Sequence, residues 1–530
     1  MNKIAKYLSQ YTIGAVYSSP AILEAYSTDQ SILKITPKIV TLPTCTNDIR
    51  KIVNFSYQLV NKNIKMPITV RYSNQSKTGS VLGNGIIISM EKMDEVEEID
   101  PNQRLVRLQT GARLDTVQNT LALYGLYLPF EGNPDQTIGD LISEHITLNR
   151  STKSGDTILH YIPQAEVVLS NGEVIHAEPI GQRQFDKKKH DKTLEAKIYR
   201  ELGTLIKNNT DNIKKIPDYH HNRTGYGTLS QVFSKNRFNI LPLFFGSENS
   251  LGVVTEIILR CELLSDLPQY CVVGCQSIDM VNKYATAILS LSPTALDLYD
   301  ISVMSNAEST GRKLHLWRNL PKDGYLLVAQ FRDINTIKRN QKIKQIKKLV
   351  PSNKHIAISD AMNYQDFIEL ESAISSYCNN SNDTILPILD GAYIPNIKLI
   401  GFLEALKPLV EKNKMETPFY GSLLHESFTV RPAASLNTKE NRQRVLSFMN
   451  EYNKLVHEYG GNLAGDCAEG RLKGIFVNQY IDKDLKAIYK QIRDIFDPRG
   501  IMNPGIKQGA TPKSVVKELR NSYNIGIIDR

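Results

Sequence analysis

Cysteine, histidine and arginine are the residues here with the most chemical scope, and their spacing limits what they can do. The six cysteines are Cys45, Cys261, Cys271, Cys275, Cys378 and Cys467. No pair is spaced C-x-x-C, which argues against a zinc ribbon or a thioredoxin-type site. No C-x-x-C-x-x-C run is present, which argues against an iron–sulfur cluster. Six cysteines among 530 residues are too sparse for a disulfide scaffold. Cys467 is a nucleophile only where its thiolate is favoured, and otherwise a plain buried thiol. His425 stands four residues before Thr429, and on a strand the two would share a face. That leaves His425 open as a base or as a structural or surface residue. Arg431 and Arg471 carry guanidiniums able to grip a carboxylate through two parallel hydrogen bonds. Salt bridging between domains is the other reading of both.

The charge balance narrows the partners. The chain has 64 Lys and Arg against 55 Asp and Glu, a net charge of +9. The basic stretches at Lys187–Lys189 and Lys338–Lys348 read as a solvated loop and a solvated helix face. Nucleic-acid binding is therefore not expected. With 41% hydrophobic and 22% charged residues the composition is that of a soluble globular protein. A chain of this length divides into domains. No run approaches the roughly 20 apolar residues that cross a bilayer. The N-terminal segment lacks the apolar core of a secretory signal. The expected location is the cytoplasm.

The elements that would position these residues alternate along the chain. Thr46-Asn47-Asp48 precedes a helix over residues 49–63 as its cap. Residues 66–72, 85–90 and 105–111 are short apolar strands, and 114–125 is an amphipathic helix stopped by Gly125. Residues 165–179 form a hairpin around Asn171-Gly172, the dipeptide preferred by a type I′ turn. Residues 252–263 are a strong β-branched strand, followed by a polar linker at 264–268. Strand 323–333 and helix 335–350 open a second α+β region, and helices 439–461 and 483–496 close it. The fold class expected is α+β.

Several segments, in order, resemble one family. They include MPITVRYSNQSKTG at 66–79, the run from 108 to 140 ending TIGD, RTGYGTL at 223–229, LFFGSENSLGVVTEIIL at 243–259 and FDPRGIMNPGIK at 496–507. Together they resemble the FAD-linked oxidases with a PCMH-type FAD-binding domain. These belong to the vanillyl-alcohol-oxidase superfamily, on the branch of D-lactate dehydrogenases and glycolate oxidase subunits. The resemblance spans about residues 20–507. It implies a two-subdomain FAD-binding domain at 35–265 and an α+β cap with a C-terminal helical segment at 266–507. An N-terminal extension at 1–34 and a tail at 508–530 flank them.

The resemblance also implies a cofactor site. FAD would be held non-covalently, its pyrophosphate on a turn after the strand that Arg71 closes. That turn would bind through Ser73, Asn74, Gln75 and Ser76, with Lys77 adding charge. Thr137, Ile138 and Gly139 would wrap the cofactor, Val254 would line the adenine side, and Asn503 would face the flavin ring. The turn departs from the family's glycines, and residues 143–148 are bulkier and more charged than usual. In the branch's substrate pocket two histidines and an acid hold a metal, and a further histidine is the base. Here those positions are Ser422, Thr429, Asp466 and Cys467, so no metal is expected. The catalytic candidates are Cys467, His425, Arg431 and Arg471.

The implied function is an FAD-dependent oxidoreductase acting on a small acidic substrate, a 2-hydroxy acid. Its electron acceptor would be a separate redox protein or a quinone. The alternative is a catalytically degenerate member that acts as a binding or scaffold protein.

Overall fold

The computed structural model describes residues 3–129, 135–146, 158–218, 220–234, 237–264, 268–301, 324–333, 335–350, 356–359, 384–415 and 417–523. Cys378, Thr147, Leu148 and linker residues 265–267 lie outside the described residues.

The architecture is α+β and rests on three sheets, each with its own apolar core. The first has four strands in the order Ala15–Tyr17, Ile39–Leu42, Ile86–Ser89 and Ile68–Arg71. The last three of these strands are parallel, and parallel pairing needs a crossover. Helix Thr46–Leu59 supplies it between the second and fourth strands and buries Ile49, Ile52 and Val53. Continuous ITVR and IIIS runs suit strands covered on both faces. The second sheet is antiparallel, in the order Val96–Asp100, Leu105–Gln109, Val253–Arg260, Gln164–Val168 and Val174–Ala177. The third has seven antiparallel strands built from residues 269–430. Helices Ile278–Leu289, Leu399–Asn413 and Lys439–Glu458 contribute side chains to its core.

The cores draw on distant parts of the chain. Helix Lys483–Phe496 belongs to the core of the second sheet, where it buries Leu485, Ile488, Tyr489, Ile492, Ile495 and Phe496. Each is worth roughly 1.5–3 kcal/mol of transfer free energy. Ile501 and Met502 then enter the core of the first sheet. Residues 512–518 are helical, and Leu519 bridges to Leu33. The beginning and the end of the chain are therefore packed on each other.

Two local expectations are corrected. The hairpin turn is not type I′. Gly172 has φ +87°, while Asn171 is not left-handed. Gly172 N–H donates to Leu169 O (2.8 Å) and Leu169 N–H to Glu173 O (2.8 Å). This is a type I turn followed by a left-handed glycine, the three-residue hairpin loop. Nor does Thr46-Asn47-Asp48 precede its helix as a side-chain cap, since helix 46–59 starts after Cys45 without a cap bond. Instead the buried Asp48 carboxylate accepts from Ile13 N–H (2.9 Å) and Gly14 N–H (2.8 Å), anchoring the N-terminal strand.

Candidate functional site

The turn between strands Ile68–Arg71 and Ile86–Ser89 forms the centre of the site. Its residues Ser76, Thr78, Gly79, Ser80 and Val81 are buried. Among the described residues, the backbone N–H groups of Ser76, Lys77, Gly79, Ser80 and Val81 donate to no protein acceptor. Buried backbone donors without a partner are rare. Gly79 at φ +74° lets the chain turn so that successive N–H groups form an anion-binding concavity. This donor set fits a pyrophosphate, although the usual glycines are replaced. Within the turn, Ser76 Oγ lies 2.9 Å from Ser80 Oγ, and Ser80 Oγ donates to Glu144 Oε1 (2.7 Å).

The other cofactor candidates take different places. Arg71 points away from the turn: its guanidinium donates to Thr28 O (3.0 Å) and Tyr26 O (3.3 Å) and covers the Tyr26 ring. Ser73 Oγ accepts from Gln75 N–H (3.0 Å). Exposed Asn74 accepts from Gln75 Nε2, while Gln30 Nε2 donates to Gln75 Oε1 (2.6 Å). These polar side chains support the turn from outside.

Thr137 caps helix Ile138–Ser143 in a capping box with Asp140. Burial pushes Asp140 up to about 6. Gly139 lies under Tyr72, whose ring would be 2.1 Å from an added Cβ. The Tyr72 hydroxyl donates toward Asn249 Oδ1 (2.9 Å) and Val254 O (3.2 Å). Sequence reasoning did not single out Tyr72, yet it joins Gly139 and Val254.

Asn503 knots this region together. Its Nδ2 donates to Ser80 O and Glu248 O, each at 2.8 Å. Its Oδ1 accepts from Arg471 Nη2 (3.0 Å) and Thr69 Oγ1 (3.1 Å). Beside it Lys507 lies between the fully buried Glu248 and Glu469, 3.4 Å from Glu248 Oε2. Burial pushes Glu248 up to about 7, against the opposing pull of Lys507. The motif segments contained both Glu248 and Lys507, but nothing local marked them as partners.

The substrate-side candidates engage groups of the protein itself. Arg431 does grip a carboxylate, but it is that of Asp390, through Nε (3.0 Å) and Nη2 (2.6 Å). Lys77 Nζ reaches the same carboxylate at 2.7 Å. Burial alone would raise Asp390, yet the two cations hold it well below the usual carboxylate range. Arg471 grips no carboxylate. It donates to Leu82 O (2.6 and 3.0 Å), Pro504 O (2.7 Å) and Asn503, because the turn and the C-terminal segment present carbonyls to it.

Cys467 is held as a thiol, since burial pushes it up to about 11 even with Lys473 Nζ 3.5 Å away. Its nucleophilic thiolate is therefore disfavoured near neutral pH. His425 sits in the turn between strands Phe419–Ser422 and Ser427–Val430, beside Glu426 at φ +53°. It therefore shares no strand face with Thr429, whose Oγ1 accepts from Gly391 N–H (3.1 Å).

Glu144 is the carboxylate at the junction. Its side chain bonds the cofactor turn, and its main-chain oxygen accepts from Ala468 N–H (2.7 Å), next to Cys467. His145 follows at φ +50° and is kept neutral, first by burial and then by Arg223.

Residues 37–178 match the model of the FAD binding domain, and residues 268–506 that of the FAD linked oxidases, C-terminal domain. The chain is 22% identical to D-2-hydroxyglutarate dehydrogenase of Haemophilus influenzae over 94% of its own length. It spans only about half (50%) of that relative. It is 21% identical to glycolate oxidase subunit GlcD of Bacillus subtilis (88% of each chain). It is 22% identical to D-lactate dehydrogenase of Archaeoglobus fulgidus (91% of this chain, 95% of the relative). In fold it resembles 4-ethylphenol oxidase from Gulosibacter chungangensis, with TM-score 0.69, 12% identity and 96% and 97% of the two chains covered. For p-cresol methylhydroxylase the TM-score is 0.65, at 12% identity and with 93% and 94% covered. The chain belongs to the FAD-linked oxidases, flavoproteins whose cofactor is FAD.

Proposed function

We propose that this chain is an FAD-dependent oxidoreductase acting on a small acidic substrate, a 2-hydroxy acid. The observation that carries the reading is the buried turn at 76–81, five of whose six backbone N–H groups have no protein acceptor among the described residues. The activities in the relatives' names supply the substrate class. When bound, FAD supplies the hydride acceptor. The turn at 76–81 would hold the pyrophosphate, and Asn503 fixes the spacing between that turn and Glu248. Arg471 ties Leu82 to Pro504 and so keeps both walls of the site in register. Removing the hydroxyl proton needs a base. With Cys467 held as a thiol, Glu144 takes that role in our reading, because it joins the cofactor turn to the Cys467 segment. The proposal includes a cytoplasmic location and a separate electron acceptor, a redox protein or a quinone.

The test is spectroscopic. Purified chain incubated with FAD and desalted should be yellow, and a 2-hydroxy acid added without oxygen should bleach it. Glu144→Gln should keep the colour and slow the bleaching. A colourless protein that takes up no FAD would sink the reading.

A second reading, a member that binds without redox turnover, is favoured by the engagement of Arg431 with Asp390 and of Arg471 with carbonyl oxygens. It predicts a yellow protein that no member of a 2-hydroxy-acid panel bleaches.

A further inference from the structure

A second concavity lies apart from the cofactor turn, on the FAD-binding half of the chain. It is a cleft of about 360 Å³ whose floor is apolar, with Leu159, Ile162, Leu241 and Pro242. Arg237, Arg260 and His160 line its polar side. Arg260 ends strand Val253–Arg260 of the five-stranded sheet, while Arg237 belongs to the short strand Arg237–Phe238 of a separate three-stranded sheet. Two independent elements thus bring guanidiniums to one cleft. Among the described residues no acidic side chain lines it. Among the described residues neither Arg237 nor Arg260 forms an ion pair or a side-chain hydrogen bond. Arg107, Arg113 and Arg431 each meet a carboxylate, whereas Arg50 and Arg183, also without a side-chain partner among the described residues, do not line this cleft.

We propose that this cleft binds a small organic dianion with one flat apolar ring, its phosphate or carboxylate groups held by Arg237 and Arg260. The cleft is at the small end of the roughly 300–1,000 Å³ range of ligand pockets. That admits a single ring and excludes a dinucleotide. A planar guanidinium pairs with phosphate or carboxylate through two parallel bonds, and two of them select a doubly charged group. The aliphatic and proline floor is matched to a ring face, with Gln231 and Asn239 at its polar margin. The site is independent of the flavin reading, so either proposal can fail without the other.

The test uses the full chain loaded with FAD, with phenyl phosphate and phthalate as the two probes and inorganic phosphate as control. Titration calorimetry should give saturable binding of at least one probe. Arg237→Ala and Arg260→Ala should each weaken it about tenfold, since a hydrogen bond to a charged group is worth roughly 1.5–3 kcal/mol. Both side chains are exposed, so neither change threatens folding. FAD content should stay unchanged in both variants. Absence of saturable binding by both probes would overturn the proposal. So would affinities within twofold of the parent in both variants, or inorganic phosphate binding as tightly as phenyl phosphate. Loss of probe binding on FAD loading would place the probe on the cofactor turn and overturn it equally.

Discussion

The cofactor turn and the Asp390 cluster are both buried, and both gather polar groups from distant parts of the chain. They differ in whether those groups are matched. Among the described residues, five backbone donors of the turn at 76–81 have no protein acceptor. Asp390, by contrast, is met by Arg431 and Lys77 on its carboxylate and by Lys473 on its main-chain oxygen. A binding site leaves donors aimed at a missing partner, whereas a structural cluster satisfies itself. By that criterion the turn is prepared for a ligand, and Asp390, Arg431 and Lys77 fasten the cap to the turn.

The largest expected effect falls on the structural side. Arg431→Ala leaves the buried Asp390 without its bidentate partner, and removing one member of a buried pair costs about 3–5 kcal/mol. Urea unfolding monitored by circular dichroism should show that loss. A change below about 1 kcal/mol would deny the cluster its fastening role. On the ligand side, Gly79→Val forces a β-branched residue to φ +74° and places its Cβ 2.7 Å from Leu33 Cδ1. Strain of this kind costs about 1–3 kcal/mol. FAD affinity, read by flavin fluorescence, should fall by about one to two orders of magnitude.

The pH dependence separates the two regions by sign. Glu248 is raised to about 7 and Asp140 to about 6. Between the ordinary carboxylate range and those values the folded chain binds more protons than the unfolded one, so stability falls as pH rises from about 4 to about 7. Asp390 is lowered, so its contribution is present above the ordinary carboxylate range and is lost as pH falls below it. Glu248→Gln should flatten the decline between pH 4 and 7 and leave the acid limb intact; an unchanged slope there would remove Glu248 from the account. The smallest effect is expected for Cys467→Ala. With the thiol raised to about 11, the change should leave flavin reduction within about threefold and the pH profile in place. A hundredfold loss of flavin reduction would restore the thiol as a working group.

Legibility followed distance along the chain. Helix Lys483–Phe496 was read with its boundaries intact because its apolar period and the Asp482 cap are local. The turn was located because its residues are contiguous and follow a fully apolar strand. The hairpin at 164–177 was found, but its turn type was not, since Asn-Gly is compatible with more than one loop. Arg431 was recognised as a carboxylate ligand without its partner, 41 residues away on another strand. Lys77 was noted for its charge, but its partner Asp390 is 313 residues distant. Glu144 was visible only as an unusually charged residue in a small-residue stretch.

By itself the sequence determined the α+β class, the order of the segments and the family, because local periodicity and motif order survive without coordinates. Which charges neutralise one another was decided only by the tertiary structure. A guanidinium in a sequence has every carboxylate of the chain as a potential partner. The packing of the seven-stranded sheet against the cofactor turn chose Asp390 for Arg431 and Lys77, carbonyl oxygens for Arg471, and left the N–H groups of Ser76, Lys77, Gly79, Ser80 and Val81 with no acceptor among the described residues.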